Sequence, residues 1–293
     1  MRALVIGASG QVGAALGECL TAGGHDWVGT YARVPRHGLE PLDITDHRGT
    51  ERLIAKTAPD WVFCVGALTF VDYCEEHPDE AFRVNRDAAA VAARAAAKQG
   101  AGVVYYSTDY VFDGENGPYT EDDPVQPISV YGQSKLQGEQ AVSDENARAL
   151  IIRTAVVYGP EPQGKNTVYQ TLRRTRAGER LRVSGDQLCS PTYNADLAAA
   201  SVTLTTRDMG GVFHIAGPAV LDRHTFARLA CRVFGSDETL VEAVPTSALG
   251  QRAARPLRAG LRSDRARATL TTSLRGPEDG LRAMRAALEA ASG

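Results

Sequence analysis

The stretch Ala3-Leu4-Val5-Ile6-Gly7-Ala8-Ser9-Gly10-Gln11-Val12-Gly13 decides the fold. Its four apolar residues are typical of a parallel strand that is covered on both faces, and a turn with three glycines follows at once. An alanine- and leucine-rich helical pattern continues through Leu20. Glycines at positions 7, 10 and 13 allow a tight strand-to-helix turn, close approach of a pyrophosphate to the backbone, and close helix packing. The sequence therefore predicts a dinucleotide-binding strand–turn–helix unit at the N-terminus.

Further apolar runs predict that this unit opens a larger parallel sheet. The strong alanine-rich pattern from Pro78 to Gln99 predicts a helix between two of these strands. We expect an α/β protein with a Rossmann-type doubly wound parallel sheet in residues 1–160, to which some later segments return. Residues 161–293 are expected to form mainly a smaller C-terminal α/β substrate lobe, because the composition changes from Glu161 onward. The predicted strands after the first are His25–Thr30, a third one ending at Leu42-Asp43-Ile44, Trp61–Val65, Val103–Tyr106 and Leu150–Ile152.

Composition excludes several classes of protein. The 293 residues are 43% hydrophobic, which is ample for a sizeable core. A net charge of -3 without a long basic run argues against nucleic acid as the main partner. No apolar run is long enough for a membrane helix, and the first residues predict a strand rather than a signal peptide. The five cysteines are scattered, which favours reduced thiols in a cytoplasmic protein and predicts no metal site.

A second stretch carries candidate chemistry. Tyr131 and Lys135 are four residues apart, so on a helix they share one face. An ammonium one turn away favours the phenolate and lowers the pKa of the phenol toward neutral pH. A hydroxyl from Ser107 or Thr108, at the end of a strand, could hold a carbonyl oxygen at the same place. The set predicts proton transfer to a ketone oxygen while a nicotinamide delivers hydride; the alternative is a half-buried ring and a solvated charge.

Together the two stretches resemble the extended short-chain dehydrogenase/reductase superfamily, and within it the dTDP-4-dehydrorhamnose reductase family. The similarity covers nearly the whole chain. The same residues also resemble the regulatory β subunit of methionine adenosyltransferase. The segments that carry the resemblance are Ser107 to Gly114, Pro118-Tyr119, Glu121-Asp122, Tyr131-Gly132-x-x-Lys135-x-x-Gly138-Glu139, Arg153-Thr154, Val157-Tyr158-Gly159, Ser190-Pro191-Thr192 and Phe213-His214-x-x-Gly217.

The resemblance implies a role for each candidate residue. Thr108 would hold the substrate carbonyl, Tyr131 would donate the proton, and Lys135 would both lower the pKa of the phenol and grip the nicotinamide ribose. Ser107 would face the cofactor or cap a turn. Asp43 would meet the adenine amine, Ile44 would pack on its ring, and the nicotinamide would lie between Lys135 and Thr154. The other residues expected at the cofactor are Gly7, Ser9, Gly10, Gln11, Val12, Gly13, Arg33, Gly66, Ala67, Leu68 and Asn85.

Two of these residues have competing interpretations. The second predicted strand ends in Thr30-Tyr31-Ala32-Arg33 without the carboxylate that NAD enzymes of this fold usually place there. A guanidinium suits the extra phosphate of NADP, so NADP(H) is favoured and NAD(H) stays open, with a solvated Arg33 as the alternative. Asn85 lies inside a predicted helix, where an amide needs a local reason. By resemblance it supports the active-site backbone; otherwise it is exposed.

The resemblance implies an NAD(P)H-dependent reductase of a keto group, most closely one acting on a nucleotide-linked 4-keto-6-deoxy sugar. It also implies a homodimer, since relatives often form dimers. Arg258 and Arg262 depart from the Asn and Asp of relatives, so the sugar need not be the rhamnose precursor. The acidic, proline-containing segment from Asp113 to Pro127 predicts a surface connection.

Two other functional classes stay open. One is a non-catalytic NADP-binding regulatory subunit, and the other is a sugar-nucleotide epimerase or dehydratase with tightly held NAD. A dehydratase needs an extra carboxylate pair beside Thr108. Asp109 alone is a poor substitute, because Tyr-Val-Phe after it predicts a structural turn.

Overall fold

A computed structural model describes residues 1–270 and 273–291 of the chain. Seven parallel strands form the main sheet in the order β11-β6-β5-β4-β1-β2-β3. The α/β class and the doubly wound parallel sheet are thereby confirmed. In chain order the strands are β1 (Arg2–Ile6), β2 (Asp26–Tyr31), β3 (Leu39–Pro41), β4 (Trp61–Cys64), β5 (Gly102–Thr108), β6 (Ala149–Thr154), β7 (Val157–Tyr158), β8 (Leu181–Ser184), β9 (Leu188–Cys189), β10 (Thr192–Tyr193), β11 (Gly211–His214), β12 (Leu221–Asp222) and β13 (Val241–Val244).

Helices cover both faces of this sheet. One apolar cluster joins the helices that follow β1 and β10 to one face, and another joins the alanine-rich helix to the opposite face. No described helix has the length and apolarity needed to cross a bilayer. The helices are α1 (Gln11–Ala22), α2 (His47–Thr57), α3 (Val71–Glu76), α4 (Pro78–Phe82), α5 (Ala88–Lys98), α6 (Val130–Glu145), α7 (Thr167–Arg176), α8 (Asn194–Thr206), α9 (Arg223–Phe234), α10 (Asp264–Thr269) and α11 (Pro277–Ala290).

The predicted strands at His25–Thr30, Trp61–Val65, Val103–Tyr106 and Leu150–Ile152 agree with the structure to within two residues at each end. Two other predicted elements differ more. The third strand ends at Pro41, before Leu42-Asp43-Ile44, because the Asp43 side chain accepts hydrogen bonds from the backbone and hydroxyl of Thr45 and turns the chain toward α2. The helix predicted from Pro78 to Gln99 is interrupted by one π-helical turn, Arg83–Asp87, between α4 and α5. Such a turn inside a helix frequently marks a functional position.

The segment from Asp113 to Pro127 differs from the predicted surface connection at Tyr119. Tyr119 in this segment is buried and stacks on Phe112, with ring centroids 4.2 Å apart. The Tyr119 backbone donates a hydrogen bond to Gly260, and the Arg262 backbone donates one to Tyr119. Most of the segment is exposed or half-buried, as predicted for a surface connection, but its acidic residues and prolines give no signal for the buried aromatic ring.

The residues after β6 form a smaller layer beside the sheet. Its apolar cluster packs α7, α9 and α11 around Tyr158, Tyr193 and Phe226. Strand β11 and helix α8 belong instead to the main sheet and its covering layer, so the chain returns to the first layer after residue 160.

The glycine turn between β1 and α1 has almost no room for side chains. Gly7 has φ +92°, and a Cβ at this position would lie 2.8 Å from the backbone nitrogen of Gly66. A Cβ on Gly13 would lie 2.3 Å from the Gly7 carbonyl oxygen and 2.6 Å from the Ala8 Cα. The first and third glycines therefore allow the strand, the helix and the loop after β4 to touch through their backbones.

We expect Gly13→Ala to lower the free energy of unfolding by about 1–3 kcal/mol, because its Cβ would meet backbone atoms that cannot move independently. Gly66→Ala is the matched control, since the nearest atom to its Cβ would be 3.8 Å away. Urea unfolding of the two variants and the parent protein measures the difference. Equal stability of Gly13→Ala and Gly66→Ala would contradict the close backbone contact.

Candidate active site

A cavity of about 550 Å³ opens at the carboxyl edge of the main sheet. One end is the glycine turn after β1, and the floor is formed by the ends of β4, β5 and β6. Gln163 and Arg223, from the part of the chain after β6, also line the cavity. Ligands of open α/β sheets bind in this kind of crevice, beyond the carboxyl ends of the strands.

Most of the predicted site residues lie at this cavity, and the rest lie nearby. Arg33 is exposed and lines a neighbouring cavity of about 630 Å³ together with Leu68. Asp43 lines a third cavity, beside α2. Gly13, Ile44 and Asn85 are packed behind the main cavity. The predicted residues that line the main cavity itself are Gly7, Ser9, Gly10, Gln11, Val12, Gly66, Ala67, Ser107, Thr108, Tyr131, Lys135 and Thr154.

Tyr131 lies in the first turn of α6. The Ser129 hydroxyl caps this helix by accepting a hydrogen bond from the Gly132 nitrogen at 3.2 Å. Burial raises the pKa of the Tyr131 phenol above its ordinary value, while a hydrogen bond with the Thr108 hydroxyl acts in the opposite direction. The phenol is therefore protonated at neutral pH, which is the form that donates a proton.

Lys135 lies one turn along the same helix but does not acidify the phenol. Its Nζ lies over the Tyr105 ring, 3.9 Å from the centroid. Burial lowers the pKa of Lys135 to about 8, against the opposing effect of Cys64 and Glu139. The prediction that the phenol pKa is lowered is wrong for this arrangement, because desolvation of the buried phenol outweighs any effect of the ammonium.

Asp109 is a site residue whose sequence context predicts only a structural turn. It does begin a short 3₁₀ turn, but its carboxylate is buried at the cavity and accepts a hydrogen bond from Thr108 Oγ1 at 3.0 Å. The Tyr110 nitrogen donates to the same Thr108 hydroxyl at 3.2 Å. Burial raises the pKa of Asp109 to about 6, and Arg223 opposes this shift. The hydroxyl beside the phenol is thus held by two fixed partners.

Ser107 belongs to a buried polar network behind the cavity. Its hydroxyl donates a hydrogen bond to Glu139 and does not cap a turn, while the residue itself lines the cavity. Glu139 also accepts from Arg153 Nε at 2.9 Å and from Arg153 Nη2 at 2.7 Å. Both charged side chains are buried, which makes this a two-pronged ion pair that joins β5, β6 and α6.

Asn85 is buried in the π-helical turn and contacts two parts of the site. Its Oδ1 accepts a hydrogen bond from the Leu68 nitrogen at 2.9 Å, and its Nδ2 donates to the Leu68 carbonyl at 3.0 Å. The same Nδ2 donates to Ser134 Oγ on α6 at 2.9 Å. An exposed mid-helix amide is therefore excluded, and Asn85 fixes the loop after β4 to the helix that carries Tyr131 and Lys135.

The cavity has the features that a dinucleotide requires. The backbone at Gly7 and Gly10 is bare at the N-terminal end of α1, where no side-chain cap occupies the first amides. The buried Thr154 Oγ1 has no hydrogen-bond partner within the described protein. The described residues contain no cluster of three or more His, Cys, Asp or Glu side chains suited to a metal ion.

Comparison with known proteins decides the family. The sequence profile described as the RmlD substrate binding domain matches residues 1–290. The chain belongs to this family. A curated relative, the probable low-salt glycan biosynthesis reductase Agl14 of Haloferax volcanii, is 36% identical over 299 residues, with 98% of each chain covered. The dTDP-4-dehydrorhamnose reductase of Salmonella typhimurium is 35% identical, with 87% of each chain covered.

Solved structures agree with the RmlD assignment. The dTDP-4-dehydrorhamnose reductase of Bacillus anthracis, solved in complex with NADP, superposes with a TM-score of 0.90 at 30% identity and covers 98% of this chain and 99% of its own. The orthologue from Clostridium acetobutylicum gives a TM-score of 0.89 at 32% identity, covering 99% and 100%. The resemblance inferred from the sequence motifs is confirmed.

Asp109 should make the stability of the protein depend on pH. The pKa of Asp109 in the folded protein is about 6, above the ordinary value of 3.8. Its contribution to the free energy of unfolding is therefore fully present below about pH 4 and is lost as pH rises through 6. Asp109→Asn keeps an acceptor for Thr108 but has no carboxyl group to ionise. We expect its free energy of unfolding, relative to that of the parent protein, to increase by about 1–3 kcal/mol as pH is raised from 4 to 7. Urea unfolding at both pH values measures this; an identical pH dependence in the two proteins would contradict it.

Proposed function

We propose that the protein is an NADPH-dependent reductase of the keto group of a nucleotide-linked sugar, with a 4-keto-6-deoxy sugar as the best match. The carrying observation is that the Tyr131 phenol and the Thr108 hydroxyl are adjacent in the cavity that begins at the glycine turn. Relatives of the RmlD family that are named dTDP-4-dehydrorhamnose reductases support the same class of reaction. An NAD(P)-dependent oxidoreductase is therefore the functional class.

The chain supplies proton transfer and orientation. NADPH, when bound, supplies the hydride. Tyr131 donates its proton to the carbonyl oxygen as negative charge develops there. Thr108 donates its one hydroxyl hydrogen to Asp109 in the structure and would redirect it to the same carbonyl oxygen when substrate is bound. Lys135 would hold the ribose hydroxyls of the nicotinamide, and the Thr154 hydroxyl, which has no partner among the described residues, would meet the nicotinamide.

The remaining site and partner assignments are part of this proposal. The glycine turn with Ser9, Gln11 and Val12 would hold the pyrophosphate, Gly66 to Leu68 would flank the cofactor, and Asp43 and Ile44 would meet the adenine. A homodimer, a cytoplasmic location, and the division into a Rossmann domain (1–160) and a substrate lobe (161–293) also stay predictions.

We expect Tyr131→Phe to lower kcat by about 100-fold or more with NADPH affinity retained, because the ring stays and only the proton donor is lost. The assay follows nicotinamide absorbance with a panel of nucleotide-linked keto sugars, and fluorescence titration gives the NADPH affinity. Tyr193→Phe is the matched control, since this buried tyrosine belongs to the core of the smaller layer. Near-normal turnover in Tyr131→Phe would contradict its role as the acid.

The same panel separates the alternatives. A regulatory subunit would bind NADPH without oxidising it on any ketone and would co-purify with a methionine adenosyltransferase. An epimerase or dehydratase would retain NAD through purification and convert sugars without net consumption of nicotinamide. Either result would replace the reductase assignment.

Cofactor preference is proposed to depend on Arg33. We expect Arg33→Gln to weaken NADPH binding by about tenfold and to leave NADH binding nearly unchanged, because only NADPH carries the 2′-phosphate. Arg36→Gln is the control, since Arg36 lies in the same loop but lines a different cavity, beside α1 and Trp27. Fluorescence titrations with both cofactors measure the ratio; equal loss for NADPH and NADH would argue against phosphate recognition by Arg33.

A further inference from the structure

Arg223 is the charged residue that α9 contributes to the main cavity. It is the first residue of this helix, and its backbone nitrogen donates a hydrogen bond to the Gln187 carbonyl at 3.1 Å. Its side chain lies beside the Tyr110 hydroxyl, which also accepts a hydrogen bond from Gln187 Nε2 at 3.1 Å. The guanidinium thus lines the cavity beside Tyr110 and near Asp109.

The arginines on α9 differ in how their charge is balanced. Arg228 and Arg232 both pair with Glu238, each at 3.1 Å. Arg223 forms no salt bridge with any residue in the part of the chain that the structure describes, although the Asp109 carboxylate is near enough to interact with it electrostatically. A half-buried guanidinium that has no carboxylate at bonding distance can bind a planar or tetrahedral anion with paired donors.

The position of Arg223 determines how far a bound anion would lie from the reacting carbonyl. The Tyr110 ring lies edge-on against the Tyr131 ring, with centroids 5.6 Å apart, so the guanidinium is separated from the proton donor by one aromatic side chain. A pyranose ring spans about the width of one aromatic side chain. A sugar with its keto carbon at Tyr131 would therefore reach across this separation. The group at the opposite side of the sugar would then meet Arg223.

We infer that Arg223 recognises an anionic group on the far side of the substrate's sugar ring, either the diphosphate of a nucleotide-linked sugar or a carboxylate on the sugar itself. This rests on the proposed function for the placement of the sugar. Gln163 also lines the cavity and adds a neutral amide to the binding surface. The site selects charged substrates over neutral ketones of the same shape.

Binding measurements with NADP⁺ at saturation test the inference without requiring turnover. The probes are dTDP, glucuronate and, as an uncharged reference, thymidine. We expect Arg223→Gln to weaken binding of one of the two anions by about 10- to 100-fold, with Arg223→Lys intermediate and thymidine unaffected. Loss for dTDP identifies the diphosphate, and loss for glucuronate identifies the carboxylate.

Arg228→Gln is the matched control, because it removes a guanidinium from the same helix outside the cavity. Thermal unfolding and NADPH titration of each variant report whether the fold and the cofactor end are intact. The inference is overturned if the parent protein binds neither anion, if Arg223→Gln binds both as the parent does, or if thymidine affinity falls equally. Failure of keto-sugar reduction alone would remove the proposed reaction and leave the anion measurements valid.

Discussion

The backbone contact between Gly7 and Gly13 is the constraint on which the rest of the structure depends. It brings α1 against the end of β1, and the Gly7 backbone in turn touches Gly66 in the loop after β4. With three backbones in contact, the carboxyl edge of the sheet becomes a narrow crevice with bare amides at one end. The strand or helix that carries each candidate catalytic side chain then fixes its position relative to the glycine turn.

Behind the crevice, polar side chains fix the elements that meet there. The buried Glu139–Arg153 pair, with Ser107, joins the last two strands of the floor to α6. Asn85 joins α6 to the loop after β4. Buried charges and amides are costly unless their hydrogen bonds are made, so these networks favour one arrangement of the surrounding elements. These side chains take no part in the proposed reaction, but they hold the Tyr131 phenol and the Thr108 hydroxyl in place.

Local sequence was sufficient to predict those features whose residues are close together in the chain. The spacing of the three glycines predicted the first turn, and the interval between Tyr131 and Lys135 predicted a shared helix face. Arg223 was not predicted, because its place at the cavity depends on the packing of α9 against segments more than a hundred residues away. The acidified phenol was wrong for a related reason: spacing gives the neighbour of a group but not the degree of its desolvation.

The bridge between Tyr119 and Leu261 has a consequence for biosynthesis. The segment after β5 exchanges backbone hydrogen bonds with residues 258–262, so a nascent chain that already contains the whole crevice floor still lacks these partners. Contacts of such sequence separation form late in folding. Before residues 258–262 are synthesised, Tyr119 lacks its contact with Leu261, and this is the stage at which a chaperone has apolar surface to bind.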